Sequence, residues 1–221
     1  GSNQGSFKGN NAVRMDLYQK PQQQRAIQLL PKSLTQETYI DLLTDPSRLI
    51  VFATGPAGTG KTMLAVLAAL KAYRAGTIDR IVVTRPAVGV DDEEHGFLPG
   101  DLMEKFSNYI TPYTETLNEL LGKSFVEYCF KTGIIEAVPL AFMRGRSFKN
   151  CLILADEMQS ASAVQMKLLL TRIGEGTKVF INGDIEQRDD HSHNGLEDAI
   201  GVLRNLKEVE VVQFDEEDCV R

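Results

Sequence analysis

Six short stretches of the chain are dominated by apolar residues and bounded by polar or turn-forming ones, and each reads as a strand: 49–53, 80–84, 134–140, 151–155, 178–182 and 209–212. Between them the apolar positions recur at helical spacing. The run 60–74 is apolar almost all round, as a helix buried against a sheet should be, and Gly76 ends it. From Asp101 to Leu121 the residues Leu102, Phe106, Tyr109, Ile110, Tyr113, Leu117, Leu120 and Leu121 form one stripe, with Pro112 expected to kink or split the helix. Its aromatics read as packing residues. A helix over 160–173 is expected to start on a serine cap at Ser160 and close at Gly174; another covers 195–203, and a short one follows Lys32. Strand and helix alternate throughout, so the predicted fold is α/β: a three-layer, mainly parallel sheet with helices on both faces.

Composition narrows the class without changing this layout. With 221 residues, 43% hydrophobic and 24% charged, the chain suits one globular domain with a sizeable core. Residues 1–15 read as a flexible leader with a tag scar, 16–32 as an N-terminal extension, and 33–221 as the folded unit. No run of eighteen apolar residues and no signal-peptide pattern occurs, so a cytoplasmic protein without membrane contact is expected. Cys129, Cys151 and Cys219 lack metal or disulfide spacing and should be reduced. A formal charge of −6 argues against a generally basic nucleic-acid binder, leaving only local donors such as Arg85, Arg144, Arg146 and Lys149.

The chemistry lies where strands end. After the first strand come Gly55, Pro56, Ala57, Gly58, Thr59, Gly60, Lys61 and Thr62, which satisfy G-x-x-x-x-G-K-[ST] between a strand and a helix. In that context the glycines let successive backbone N–H groups face phosphate oxygens, and the helix start adds its partial positive charge. Lys61 would reach the β- and γ-phosphates, and Thr62 would offer its hydroxyl to Mg²⁺. The strand 151–155 ends in Asp156, placed to hold the metal shell, and Glu157, placed to orient a water. The strand 178–182 delivers Asp184 and Gln187, the latter a candidate γ-phosphate sensor. Gln36 can pair with both edges of adenine or stand as an ordinary glutamine. Arg85 either touches a phosphate or caps Asp91 and Asp92. Arg144 and Arg146 flank a glycine in an anion-binding or merely solvated turn. His191 and His193, beside Asp189 and Asp190, read as a solvated loop rather than a metal site.

Taken together, GPAGTGKT, TRPAV (84–88), GFLPGDLMEK (96–105), PLAFMRGRSF (139–148), LADEMQ, QMKLLLTRIG (165–174) and NGDIEQ closely resemble the PhoH-like P-loop ATPases, in the same order from about residue 33 onward. That family resembles the first RecA-type motor domain of superfamily 1 helicases. The resemblance implies ATP hydrolysis with Mg²⁺ and a role on single-stranded RNA, helicase-like or in RNA processing, with Thr84 and Arg85 at the nucleic-acid backbone. The histidine-containing loop after Gln187 departs from the family's Pro-Gly-rich stretch. A single motor domain needs charge from elsewhere to neutralise the γ-phosphate, which predicts a homo-oligomer, a ring with the hexamer as one form. Arg172 is the first candidate for an arginine finger across the subunit boundary, Arg146 the second and Arg221 the third. The competing function is an ATP-dependent switch or partner-remodelling protein that touches no nucleic acid.

Overall fold

The computed structural model describes residues 26–86, 99–187 and 194–219. The expected leader, Asp91 and Asp92, the start of the GFLPGDLMEK segment, the histidine loop and Arg221 lie outside them. Six strands form one sheet: β1 (Ile50–Thr54), β2 (Arg80–Thr84), β3 (Ile135–Ala137), β4 (Cys151–Ala155), β5 (Lys178–Gly183) and β6 (Val209–Gln213). Their order is β3-β2-β4-β5-β1-β6, and every pairing is parallel. The helices are α1 (Leu34–Thr44), α2 (Lys61–Arg74), α3 (Pro99–Leu121), α4 (Lys123–Lys131), α5 (Ala163–Leu170) and α6 (Gly195–Leu203).

Strand residues point alternately to opposite faces of a sheet, and the two cores follow that period closely. Val51, Ala53, Ile81, Val83, Leu152, Leu154 and Phe180 pack beneath α1, α2, the end of α3 and α4. Phe52, Val82, Ile153, Ala155, Val179 and Ile181 pack against α5, α6 and the turn around Leu140. Helices on both faces make three layers, as the alternation of apolar runs requires. The same period carries function, because Asp156 and Arg85, one step beyond their strands, fall on the α2 face.

Several boundaries differ from the sequence reading, each for a local reason. Pro112 does not split α3, which runs unbroken through it. Both Pro112 and Asn108 are exposed, so the carbonyl a proline frees four residues earlier faces solvent rather than core. Helix α4 (Lys123–Lys131) is absent from the sequence reading; it turns Phe125, Val126 and Cys129 into the core, and Gly122, at φ 91°, lets it begin straight after α3. The third strand stops at Ala137, before Val138-Pro139, instead of reaching Leu140. Helix α5 starts at Ala163, not Ser160, because Ser162 and Gln165 close a reciprocal capping box worth about 1 kcal/mol. It ends at Leu170, so Arg172 lies beyond the helix rather than in its last turn.

Candidate nucleotide-binding site

The phosphate loop is a curl of backbone between β1 and α2. Gly55 has φ 134°, and a Cβ there would come within 2.4 Å of the Phe214 carbonyl, so glycine is required by both conformation and space. Gly60 caps α2 at φ 81°, a left-handed turn that aims the free N–H groups of the first helical turn into the crevice. Lys61 is 8% exposed, and its Nζ donates to the Pro56 carbonyl (2.8 Å), so the loop wraps its own ammonium. Burial lowers the Lys61 pKa, opposed by the nearby carboxylates of Asp156, Asp184 and Glu157.

Strand order sets what faces this loop. β5 lies between β1 and β4, so the ends of three neighbouring strands deliver the loop, the Asp184 segment and the acidic pair to one cleft of about 210 Å³. Its lining brings together Ala57 to Met63, Tyr113, Asp156, Glu157, Gln159, Gly183, Asp184 and Gln187. Ala57 to Thr62 of the expected phosphate loop thus share the cleft with Asp156, Glu157 and Gln187, whereas Gly55 and Pro56 line a neighbouring cavity with Asp184 and Phe214, and no arginine lines the cleft among the described residues. Thr62 Oγ1 donates to Asp156 Oδ2 at 3.1 Å. A hydroxyl and a carboxylate at that separation form an all-oxygen donor pair suited to a hard divalent cation such as Mg²⁺, which keeps most of its waters.

Glu157 adopts a left-handed backbone at φ 56°, a strained setting for a residue with a Cβ. Its Oε2 accepts from Gln159 Nε2 (2.7 Å), while Gln159 Oε1 accepts from the Asp184 N–H (3.1 Å). Gln159 thereby joins the acidic strand to the segment carrying Asp184 and Gln187. The sequence string Asp156-Glu157-Met158-Gln159 contains this residue without disclosing its role. The helical stripe marks Tyr109 and Tyr113 as packing residues, yet both hydroxyls donate to Asp156 Oδ2, at 2.5 and 3.3 Å. Burial, then the Asp156 charge, raises the pKa of both tyrosines, so they remain donors. Their four-residue spacing on an apolar stripe carries no sign of this.

Other candidates sit apart from the cleft or engage elsewhere. Gln36 is 2% exposed; its Nε2 donates to the Thr59 carbonyl (2.7 Å) and its Oε1 accepts from the Lys32 N–H (2.8 Å). It braces the phosphate loop from α1. Arg85 lies over the Tyr109 ring, 4.0 Å from the centroid, while Thr84 points to the opposite face, fully buried. Arg146 makes a two-pronged pair with Glu136 (2.7 and 2.9 Å) over the Phe148 ring. This pairing, the Arg146 hydrogen bond first, lowers the Glu136 pKa. The arginines are therefore not gathered on one face: Arg85 is on the α2 side, Arg146 on the other, and Arg144 in the exposed turn beside it. Arg172 lies where its carbonyl accepts from the Phe148 N–H, at the strand ends opposite the cleft. Among the described residues no group of three or more His, Cys, Asp or Glu side chains could hold a metal, and the three cysteines are free.

A parallel three-layer sheet with the glycine loop after β1 and the acidic pair after β4 defines a RecA-like P-loop nucleotide-binding protein. A family model described as PhoH-like protein matches residues 28–221. Among curated proteins, the chain is 45% identical over 179 residues to "Protein PhoH" of Escherichia coli K12, covering 79% of this chain and 50% of that protein. It is 41% identical over 192 residues to the "PhoH-like protein" of Bacillus subtilis 168, covering 86% and 59%. With the "PhoH-like protein" of Mycobacterium tuberculosis H37Rv it shares 39% identity over 193 residues, covering 86% and 54%. The chain belongs to the PhoH family. It spans about half the length of these relatives.

Proposed function

We propose that this chain binds ATP with Mg²⁺ and hydrolyses it, and couples turnover to single-stranded RNA. The observation that supports the reading is the Thr62 to Asp156 contact at 3.1 Å, which brings a hydroxyl and a carboxylate from different elements together beside the phosphate loop. The backbone from Gly55 to Thr62 and the Lys61 ammonium hold the phosphates; Thr62 and Asp156 would hold Mg²⁺, which would supply charge neutralisation for the transferring phosphate. Glu157 orients the attacking water and Gln187 senses the γ-phosphate. The ATPase unit runs from residue 33 to 221.

The cleft holds no arginine among the described residues, and phosphoryl transfer benefits strongly from one; this supports a finger donated by a neighbouring copy in a ring. Arg172 is the first choice: it is half-exposed, sits at the strand ends away from its own cleft, and its Nε is buried without a hydrogen-bond partner. Arg146 follows, although Glu136 already neutralises it, and then Arg221. The RNA side rests on the family resemblance and on Arg85 at the crevice edge. The same reading takes the location to be cytoplasmic; separately, among the described residues no helix is long and apolar enough to cross a membrane.

Steady-state hydrolysis with and without Mg²⁺ and poly-RNA, at stated salt, tests the reading. Lys61→Ala should abolish turnover, and Glu157→Gln should retain ATP while stopping hydrolysis. A Mg²⁺-dependent rate that ignores RNA at low salt would favour the switch or partner-remodelling reading instead.

A further inference from the structure

Three hydroxyls converge on a single oxygen, Asp156 Oδ2: Tyr109 at 2.5 Å, Thr62 at 3.1 Å and Tyr113 at 3.3 Å. A carboxylate oxygen offers about two lone-pair directions, so this one is fully subscribed. Oδ1 is turned the other way and accepts from the Glu157 N–H (3.0 Å). A cation that took Oδ2 would have to displace a donor, and the closest donor is Tyr109. The Tyr109 ring is engaged at its other surfaces as well. Its face carries the Arg85 guanidinium, 4.0 Å from the centroid, and its centroid lies 5.3 Å from that of Tyr113, the two ring planes inclined at 61°. Arg85 is one step beyond β2 and Asp156 one step beyond its neighbour β4, and the two strands pair in register from Arg80 with Cys151 to Thr84 with Ala155.

We propose that Tyr109 is a positioning residue that holds the Asp156 carboxylate through its hydroxyl and Arg85 through its ring face, so that metal binding at Asp156 and the placement of Arg85 are coupled through one side chain. The inference rests on the ATP and Mg²⁺ reading of the site. With Oδ2 engaged by a metal ion, the Tyr109 hydroxyl would lose its acceptor, and the ring, freed at one end, would no longer fix the guanidinium at the other. By linkage, whatever engages Arg85 changes the affinity for the metal by the same factor.

The experiment is calorimetric binding of ADP to the full chain, in EDTA and across a Mg²⁺ series, for wild type, Tyr109→Phe, Arg85→Gln and the double variant. Phenylalanine keeps the ring and removes only the donor. Loss of a hydrogen bond to a charged acceptor should lower the half-saturating Mg²⁺ concentration about tenfold or more, with affinity in EDTA within about twofold. Arg85→Gln should lower it about two- to fivefold when Tyr109 is present and leave it unchanged in the Tyr109→Phe background. The chain contains no tryptophan, so a tyrosine difference spectrum on Mg²⁺ addition reads the phenol directly and should be diminished in Tyr109→Phe. An unchanged or raised Mg²⁺ requirement in Tyr109→Phe, or an Arg85 effect that persists undiminished without the hydroxyl, would overturn the coupling while a normal wild-type response left the ATP reading intact. Wild-type ADP binding indifferent to Mg²⁺ would remove both.

Discussion

Gln36 is where two roles for one side chain can be separated by experiment. Its amide is 2% exposed and bridges the Lys32 N–H and the Thr59 carbonyl, so truncation to alanine removes two hydrogen bonds and strands their partners. Each bond contributes a net ~1 kcal/mol, and a stranded buried partner costs about 1–3 kcal/mol where water cannot enter. Thr59 is fully buried, so its carbonyl should feel that cost; Lys32 is exposed and its N–H can turn to solvent. The expected destabilisation of Gln36→Ala is therefore about 2 kcal/mol, a fall in Tm of roughly 4–8 °C for a chain of this size. Thr59 sits inside the phosphate loop, so ADP and GDP should weaken together, by up to about tenfold, with their ratio unchanged. Thermal unfolding and calorimetric titration of both nucleotides read the two effects. If the variant melted with wild type but lost its preference between the bases, the amide would be a reader of adenine and its bracing of the loop incidental.

Arg172→Ala should cut turnover by about 10³-fold or more if this cation serves a neighbour's γ-phosphate, with ADP affinity unchanged; a rate within about tenfold of wild type would remove it from that role. Lys178 makes a different test. Its Nζ donates to the carbonyls of Leu42, Leu43 and Asp45 at the end of α1, and burial lowers its pKa from 10.5 to about 8. Because the folded value is depressed, the unfolded chain binds more protons between about pH 8 and 10.5, so this residue adds stability as pH rises through that window. In urea titrations the difference between wild type and Lys178→Met should grow with pH there, and a flat difference would refute the assignment.

The phosphate loop, the acidic pair and the segment 182–187 were legible in the sequence because each is local: a glycine pattern or a carboxylate at the end of an apolar run, fixed by two adjacent elements. The parallel, three-layer arrangement was legible too, from alternation alone. What sequence could not disclose was which elements lie beside each other once folded. The strand order, with β5 between β1 and β4, makes Gln159 a bridge between Glu157 and the Asp184 N–H, and no spacing within the chain encodes that contact. Boundaries failed where competing local chemistry was nearly matched, as with Ser160 and Ser162, of which only the second has a glutamine three residues on to complete the cap.

The tyrosines show why a helical stripe is an incomplete guide to role. Tyr109 and Tyr113 stand one turn apart on the face of α3 that also carries Phe106 and Leu117, both buried, so their rings belong to an apolar surface. A phenol can satisfy that surface and still present a donor at its far end, and the end becomes functional only if something anionic lies beneath the helix. Here Asp156 does, because the two-residue period of β4 that buries Leu152 and Leu154 on this face carries the following carboxylate to the same side. Period-two logic in a strand and period-3.6 logic in a helix thus meet at one oxygen atom. Neither pattern alone distinguishes a packing aromatic from one that also grips the Asp156 carboxylate, and their intersection is a property of the fold.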